Sequence, residues 1–396
     1  MLLAVFKALI YRPHILPANS FFIRVFALML YVGFNVAFPT ETVYGLGANI
    51  FSLKAITGIY KKKGRPSTNP LIVHVSSYDD VFHHNLVRMT PNERVFFKIF
   101  AQDFWPGPIT FVVRANKDKV FSQVRNGTDF VGLRVPNHRV ARELIKRAGV
   151  PIAAPSANRS GNISPTTAKH VHDDYQDLDI FMPILGSPQN SYIGLESTIV
   201  KIAEVENGKV LITILRAGAI GLEQLQESIN LMCITIPYTI SVRSNNVNSI
   251  NIDAPGQEIK HYSPKNAVTY IATTTSTTST TSTTSTTSTT STTSTIATTS
   301  TTFDKSKAVL IATDKNVAMH GKEYSHCFTL PSTSQECASQ LYSTMRDADN
   351  WCDKKKIDTI IICIDGLTDD VCAGGYLVAI RDKVFRASEG KPQVQL

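Results

Sequence analysis

Cysteine is scarce in this sequence and unevenly distributed. Residues 1–232 contain none, and the six cysteines all follow: Cys233, Cys327, Cys337, Cys352, Cys363 and Cys372. They form no Cys-x-x-Cys pair and no His-x-x-x-His segment accompanies them, so the patterns typical of structural zinc sites are missing. Their wide spacing also disfavours a disulfide framework. We therefore expect free, mostly buried thiols in a reducing compartment.

The common phosphate-binding and nucleophile motifs are also missing. The chain has no Gly-x-x-x-x-Gly-Lys-Ser/Thr loop and no Gly-x-Ser-x-Gly elbow, and "GLGANI" (45–50) is only half of a dinucleotide fingerprint. Glu41 and Glu196 are the only carboxylates in the polar clusters described below, which argues against a two-carboxylate hydrolase and an all-protein metal cage. If the protein binds a nucleotide, basic side chains must neutralise its phosphates.

The first 38 residues carry little charge: Lys7, Arg12 and Arg24 are the only charged side chains before Glu41. Three interpretations are open. A basic, acid-poor segment is typical of a mitochondrial targeting peptide. The apolar stretch 20–38 approaches membrane-spanning length, although Arg24 interrupts it. Alternatively, the segment supplies the first helix and strand of the next domain. We leave residues 1–35 unassigned and expect a cytoplasmic protein without stable membrane association, with mitochondrial targeting as the alternative.

Alternating apolar runs and helical patterns predict an α/β protein with two domains. Residues 36–225 predict a sheet with flanking helices, residues 226–265 a linker, and residues 266–396 a smaller Rossmann-like domain. The segment 273–302 is almost entirely Thr and Ser and cannot bury a core, which predicts a disordered insertion within the second domain.

The most basic stretch, "KKKGRPSTNP" (61–70), ends a predicted helix. Lysines in a last turn offset the helix dipole and Gly64 stops the helix, which fully explains the first two lysines as surface residues. The turn also fixes the direction of Lys63 and Arg65. Asn69 and His74 follow closely in the sequence. With Lys63 and Arg65 they are candidates for a rigid polar wall beside a strand.

Small polar side chains and arginines follow other predicted strands. Residues 155–170 are rich in Ser, Asn and Thr, which indicates either a ligand-binding loop or an ordinary turn. Arg114 ends the strand "ITFVVR" and Arg216 the strand before "AG". Arginines that converge from strand ends would bind an anion, and they favour catalysis by positioning and charge neutralisation.

Six motifs, in this order and spacing, resemble the YrdC-like threonylcarbamoyl-AMP synthase family: "FPTETVYGLGA" (38–48), "KGRPSTNPLIVHV" (63–75), "WPGPITFVV" (105–113), "LRVPNH" (133–138), "APSANRSGNISPT" (154–166) and "GLESTIV" (194–200). "LRAGAI" and "APGQEIKHYSP" resemble the two-domain members, which have a Rossmann-like C-terminal domain. The resemblance implies a YrdC-like twisted sheet with a concave basic face. It also implies condensation of L-threonine, bicarbonate and ATP, with Mg²⁺, to threonylcarbamoyl-AMP and pyrophosphate. A downstream threonylcarbamoyl-transferase complex would pass the product to tRNA, and direct RNA binding is expected to be weak.

The resemblance further implies a set of site residues, carried over position by position. The threonine-site positions are Thr42, His74, Arg114, Ala154 and Ser197, with Arg114 as the partner of the substrate carboxylate. The Lys-x-Arg and Ser-x-Asn motifs supply the catalytic positions Lys63, Arg65, Ser156 and Asn158. Arg65 and Ser156 also belong to the ATP contacts, together with Asn69, Thr110, Ser164, Arg216 and, from the linker, Tyr262.

Two other functions are weaker alternatives. An RNA-binding protein would use the same basic face, but the sequence does not interleave basic and aromatic residues and lacks an RNA-recognition signature. A carbamoyl-transferring module like that of the hydrogenase-maturation proteins would come with acylphosphatase and zinc-finger portions, which the sequence lacks.

Overall fold

The computed structural model describes residues 13–176, 182–187, 191–232, 234–243, 255, 261–273, 304–368, 374–391 and 394–396. Within these residues the strands form two sheets. The first sheet contains β1 (His14–Pro17), β2 (Val36–Phe38), β3 (Gly45–Asn49), β4 (Ile72–His74), β5 (Ile109–Arg114), β6 (Phe130–Arg134), β7 (Ile152–Ala153), β8 (Pro183–Gly186), β9 (Thr198–Glu204), β10 (Val210–Arg216) and β11 (Tyr238–Val242). The second contains β12 (Val268–Thr273), β13 (Ala308–Thr313), β14 (His326–Leu330), β15 (Thr359–Cys363) and β16 (Val394–Gln395).

The helices pack their apolar sides against the sheets. They are α1 (Ser20–Tyr31), α2 (Leu53–Lys63), α3 (Tyr78–His83), α4 (Pro91–Phe104), α5 (Ser122–Arg125), α6 (Arg139–Ala148), α7 (Ala168–Tyr175), α8 (Leu222–Asn230), α9 (Asp314–His320), α10 (Ser334–Lys355) and α11 (Tyr376–Ala387). Three short 3₁₀ turns span Glu206–Gly208, Lys305–Lys307 and Gly321–Glu323. Local sequence explains where several helices begin: α4, for example, starts with a capping box in which Thr90 and Glu93 each bond the other's backbone amide.

The first sheet is mixed, with the order β1-β8-β2-β3-β7-β4-β6-β5-β9-β10-β11. β5 runs antiparallel to β6 and parallel to β9. One face carries a large apolar core to which α2 and α4 contribute, including Ile56, Phe96 and Phe100. The other face carries an apolar cluster under α1 and α6, which includes Phe38 and Ile152, and a separate small cluster of Ile72, Val112 and Ile199. His74 and Thr110 alternate with Ile72 and Val112 along their strands, so their side chains lie on this same face.

The described part of the N-terminal segment belongs to the first domain. β1 pairs in parallel with β8, and α1 buries Phe26 and Leu30 in a cluster shared with Leu144 of α6. Residues 1–12, part of the segment proposed as a targeting peptide, lie outside the described residues. Among the helices that the structure describes, none has the length and apolarity needed to cross a bilayer.

The second domain is a parallel sheet flanked by helices, with the order β14-β13-β15-β12-β16. The predicted α/β class and Rossmann-like second sheet are therefore confirmed. The Thr/Ser tract, apart from Thr273 at the end of β12, lies outside the described residues. The linker prediction needs one correction: β11 pairs in register with β10, so the first domain extends beyond the predicted boundary at residue 225.

Candidate active site

The Lys-x-Arg motif lies at the C-terminal end of α2, where the chain turns toward the protein interior. Ser52 caps the helix start, and Gly64 stops it with a φ of 60°, a left-handed conformation that suits glycine. Lys63 is thereby buried, and its amine donates to the carbonyls of Ser156, at 2.6 Å, and of Asn158. Burial, and then the nearby Arg65, place the pKa of Lys63 well below its ordinary value. The Lys-x-Arg and Ser-x-Asn motifs are therefore joined directly.

The two lysines before Lys63 differ from each other. Lys61 is exposed, as expected for a residue that only offsets the helix dipole. Lys62 is half-buried, and its amine donates to Asn35 Oδ1 at 2.8 Å. The prediction that both are surface residues is wrong for Lys62, because Asn35, far away in sequence, supplies a buried acceptor.

A cavity opens beside these motifs on the face of the first sheet that carries Ile72 and His74. Seven of the predicted site residues line it: Thr42, Arg65, His74, Ala154, Ser156, Ser197 and Arg216. Arg134, Glu196 and His261 also line it, although the sequence did not single them out as site residues. Strand ends and loops of the first domain, with His261 from the second half of the chain, thus converge on one space.

Hydrogen bonds hold one wall of the cavity around Ser197. The Ser197 hydroxyl lies 2.7 Å from the Thr110 hydroxyl, and the Ser197 carbonyl accepts from Arg216 Nε at 3.1 Å and Nη2 at 2.9 Å. Arg216 Nη1 also donates to the Pro255 carbonyl at 3.3 Å. The Arg216 guanidinium is consequently held in one orientation against the cavity.

The charge in the cavity comes from arginines and not from histidines. Burial, and then the nearby Arg134 guanidinium, lower the pKa of His74 to about 3. Burial also places the pKa of His261 well below its ordinary value. Both rings are therefore neutral at physiological pH, whereas the guanidinium groups keep their protons. The cationic side chains that line the cavity are Arg65, Arg134 and Arg216.

Several buried polar atoms at or behind the cavity have no hydrogen-bond partner within the described residues. They are Nδ1 of His74 and of His261, Oδ1 of Asn69 and of Asn158, and the hydroxyl of Tyr262. Buried polar groups in folded proteins are nearly always hydrogen-bonded. Their concentration here, among fixed guanidinium groups, is what a site for an anionic, polar ligand requires.

Both domains of the chain match known protein families. Residues 29–218 match the Sua5/YciO/YrdC family model, described as "Telomere recombination". Residues 220–389 match the model described as "Threonylcarbamoyl-AMP synthase, C-terminal domain". The chain belongs to the threonylcarbamoyl-AMP synthase family. The resemblance seen in the sequence motifs is thereby confirmed for both domains.

Individual members of this synthase family agree with that assignment. The chain is 37% identical over 249 residues to the threonylcarbamoyl-AMP synthase of Pyrococcus abyssi, covering 63% of this chain and 67% of the relative. It is 39% identical over 229 residues to the enzyme of Bacillus subtilis, covering 58% of this chain and 60% of that one. A crystal structure of P. abyssi Sua5 complexed with L-threonine superimposes with a TM-score of 0.71 and 27% identity, covering 97% of this chain and 99% of that chain.

The other family positions lie behind the cavity lining or away from it. Ser164 donates to Glu196 at 2.5 Å, and Asn158 uses its amide to bond the Asn162 carbonyl at 2.6 Å. The carbonyl oxygen of Asn69 accepts a hydrogen bond from Arg65 Nε at 3.4 Å. Tyr262 is fully buried, and its neighbour His261 lines the cavity, as does Pro255 of the same linker. Of these residues, Ser164 and Asn69 bond side chains that line the cavity, those of Glu196 and Arg65.

The expectation for Arg114 requires correction. Its guanidinium pairs with Glu93 at 2.7 Å and donates to the Glu204 carbonyl at 2.9 Å, and it does not line the cavity. Arg114 lies four residues after Thr110 on β5, which is about 13 Å along a strand. Arg134, at the end of the antiparallel β6, lines the cavity instead. Its position in the "LRVPNH" motif was the available signal.

Proposed function

We propose that this chain is a threonylcarbamoyl-AMP synthase, which condenses L-threonine, bicarbonate and ATP to threonylcarbamoyl-AMP and pyrophosphate. The observation that carries the proposal is the cavity in which three fixed guanidinium groups surround neutral histidines and unpartnered polar atoms. Threonine, through its carboxylate, and ATP, through its phosphates, are anionic at the groups that these arginines would bind.

In the proposed reaction the threonine amine attacks the bicarbonate carbon, and water leaves to give a carbamate. A carbamate oxygen then attacks the α-phosphorus of ATP. The bond from that phosphorus to the bridging oxygen breaks, and pyrophosphate carries away the electron pair. Such a transfer depends on positioning and on stabilisation of developing charge more than on a strong base.

Arg134 is the proposed partner of the threonine carboxylate, in place of Arg114. It is almost fully buried, with 5% of its side chain exposed, and pairs with Glu41 at 2.7 Å. That ion pair and a hydrogen bond from Arg134 Nε to the Gly107 carbonyl at 3.4 Å fix the guanidinium at the wall of the cavity, which Thr42 and Ala154 also line. A planar guanidinium can bind a carboxylate through two parallel hydrogen bonds.

Arg65 and Arg216 are the proposed partners of the ATP phosphates. Arg65 is anchored by its bond to the Pro70 carbonyl at 3.0 Å, and Arg216 by its bonds to the Ser197 carbonyl. Lys63 holds the Ser156–Asn158 turn against them. Preorganised donors of this kind stabilise developing negative charge without having to move during the reaction.

Magnesium is expected to accompany ATP. Within the described residues no group of three or more His, Cys, Asp or Glu side chains is placed to hold a metal ion, and Glu196 is the one carboxylate among the cavity-lining residues. This donor set fits an ion held mainly by phosphate oxygens and water, as is common for magnesium bound with a nucleotide. The ion would neutralise phosphate charge alongside the arginines.

We further propose that the product serves tRNA modification through a separate threonylcarbamoyl-transferase complex, and that the enzyme works in the cytoplasm. Mass spectrometry of the mature N-terminus would decide between this location and mitochondrial targeting, because removal of a leader would leave a chain without its first residues.

The direct test uses the purified full chain with ATP, L-threonine, bicarbonate and magnesium. We expect pyrophosphate release that requires threonine, and incorporation of ¹³C from labelled bicarbonate into an adenylate product detected by mass spectrometry. Omission of threonine is the matched control. Release of pyrophosphate without threonine, or an adenylate without the labelled carbon, would contradict the proposal.

A further inference from the structure

One helix of the second domain, α10, lies against the loops that carry the synthase motifs. Its residues Ala338, Tyr342, Arg346 and Asp349 follow one another at helical spacing and occupy one face. The helix backbone meets Gly194 so closely that a Cβ there would lie 2.4 Å from the Ala338 carbonyl oxygen. The "GLESTIV" loop is thus packed directly on α10, and only glycine fits at this contact, where φ is 74°.

Two side chains further along this face bind other parts of the site. Arg346 donates to both carboxylate oxygens of Asp174, at 3.0 and 2.8 Å, and also to the carbonyls of residues 163 and 164. The Asp349 carboxylate accepts from the backbone amides of Lys265 and Asn266, each at 2.9 Å. The helix therefore holds a motif loop and the chain segment after the linker in one arrangement.

The most direct contact with the cavity is made by Tyr342. Its hydroxyl donates to Glu196 Oε2 at 2.8 Å, while the hydroxyl of Ser164 donates to Glu196 Oε1 at 2.5 Å. Glu196 lines the cavity and is 6% exposed. One donor from each domain thus fixes the orientation of a carboxylate at the cavity wall.

The position of Glu196 determines the position of its neighbours. Ser197 follows it directly, and the Ser197 carbonyl and hydroxyl accept three hydrogen bonds from Arg216. A carboxylate that has lost one of two buried donors would be expected to shift or to recruit water. That shift would displace Ser197 and Arg216 together, and small displacements of positioned groups have large effects on binding and rate.

We propose that Tyr342 is a positioning residue of the active site, supplied by the C-terminal domain, which fixes Glu196 and through it Ser197 and Arg216. The inference rests on the proposed function for the identity of the substrates. It makes the second domain a structural part of the active site, and truncation would remove one of the two donors to Glu196.

A simpler role for Tyr342 is packing, since its ring stacks on that of Tyr262 with centroids 5.5 Å apart. Tyr342→Phe separates the two roles, because it keeps the ring and removes only the hydroxyl. The matched control is Tyr324→Phe. Tyr324 is also a buried tyrosine of the second domain, but it lies in a different core cluster and its hydroxyl has no hydrogen-bond partner within the described residues.

The experiment measures L-threonine binding to the full chain by calorimetry in the presence of a non-hydrolysable ATP analogue, and the KM for L-threonine in the pyrophosphate assay. For Tyr342→Phe we expect both constants to rise by about tenfold, because Glu196 would no longer hold Ser197 in the position that binds threonine. Neither constant depends on the fraction of active protein, so reduced stability alone would not change them. Tyr324→Phe should change both by less than about twofold, since it removes no bond in the site.

Ser164→Ala provides a second route if Tyr342→Phe does not fold. It removes the other donor to Glu196, so the same rise is expected, and the effects of the two substitutions in one chain should be less than additive. Wild-type-like threonine constants in Tyr342→Phe, or in Ser164→Ala where only that variant folds, would overturn the inference. A wild-type chain that binds no L-threonine would instead overturn the proposed function and, with it, this inference.

Discussion

The two ends of the strand pair β5–β6 contain similar groups and differ in what those groups can do. At one end Arg114 pairs with the buried Glu93 at 2.7 Å, and at the other Arg134 pairs with the buried Glu41 at 2.7 Å. Each arginine also donates to a backbone carbonyl. The side chain of Arg114 is 35% exposed and lies outside the cavity lining, whereas that of Arg134 is 5% exposed and lines the cavity.

An arginine–glutamate pair therefore does not by itself identify a binding site. Glu93 serves the fold: it also accepts from the backbone amides of Thr90 and Glu204, so it links the start of α4 to β9. The Arg134 pair instead holds a guanidinium beside an open space. The same interaction is structural at one end of the strands and presents a binding group at the other.

Arg134→Gln should produce the largest effect. The substitution removes the proposed partner of the threonine carboxylate and one partner of a buried ion pair, so kcat/KM for L-threonine in the pyrophosphate assay should fall by at least about 100-fold. A near-normal kcat/KM in this variant would show that Arg134 does not bind the threonine carboxylate.

Loss of folding is separated from loss of binding by the double variant Glu41→Gln/Arg134→Gln. It leaves no unpaired buried charge, so its unfolding free energy should exceed that of Arg134→Gln alone. Activity should not return with stability, because the carboxylate partner is still absent. Recovery of threonine saturation in the double variant would show that the single substitution acted only through the fold.

Arg114→Gln should have the opposite profile. Loss of the bonds to Glu93 and Glu204 should lower the unfolding free energy by about 2 kcal/mol, as measured by urea titration. The kcat/KM for L-threonine should stay within about threefold of the wild-type value, because no cavity-lining group is removed. A rise in threonine KM comparable to that of Arg134→Gln would restore Arg114 as the carboxylate partner.

The error over Arg114 shows what the sequence could and could not predict. The motifs identified the family, the α/β class and most of the polar groups around the cavity, since these depend on local patterns. Strand direction does not follow from local patterns. Both arginines end a strand, but because β5 and β6 are antiparallel, Arg114 and Arg134 lie at opposite ends of the strand pair. Likewise, no local pattern connects Tyr342 with Glu196, 146 residues apart. Pairings across the sheet and between the domains decide such contacts.

The smallest effect is expected for the pH dependence of the unfolding free energy. It tests only the end of the β5–β6 strand pair at which Arg134 lies. The pKa of His74, next to Arg134, is about 3 in the folded protein, against about 6.5 for an unperturbed histidine. At low pH the unfolded chain therefore binds a proton at His74 that the folded protein excludes, and this difference favours unfolding. The free energy of unfolding keeps its full value above pH 6.5 and decreases as pH falls toward 3. At pH 5.5 the loss should be about 1 kcal/mol.

His74→Gln removes this titration. The decrease in unfolding free energy between pH 7.5 and 5.5, measured by urea titration, should be smaller in the variant by about 1 kcal/mol. Comparing the decrease, and not the absolute stability, cancels any packing cost of the substitution. The other described histidines with a lowered pKa contribute equally to both proteins: His84, His138, His170 and His261. His326→Gln, at an exposed position of β14, is the control and should retain the wild-type decrease. An equal decrease in His74→Gln and the wild type would mean that His74 is not held neutral beside Arg134, and that the two ends of β5–β6 differ less in electrostatic environment than their burial indicates.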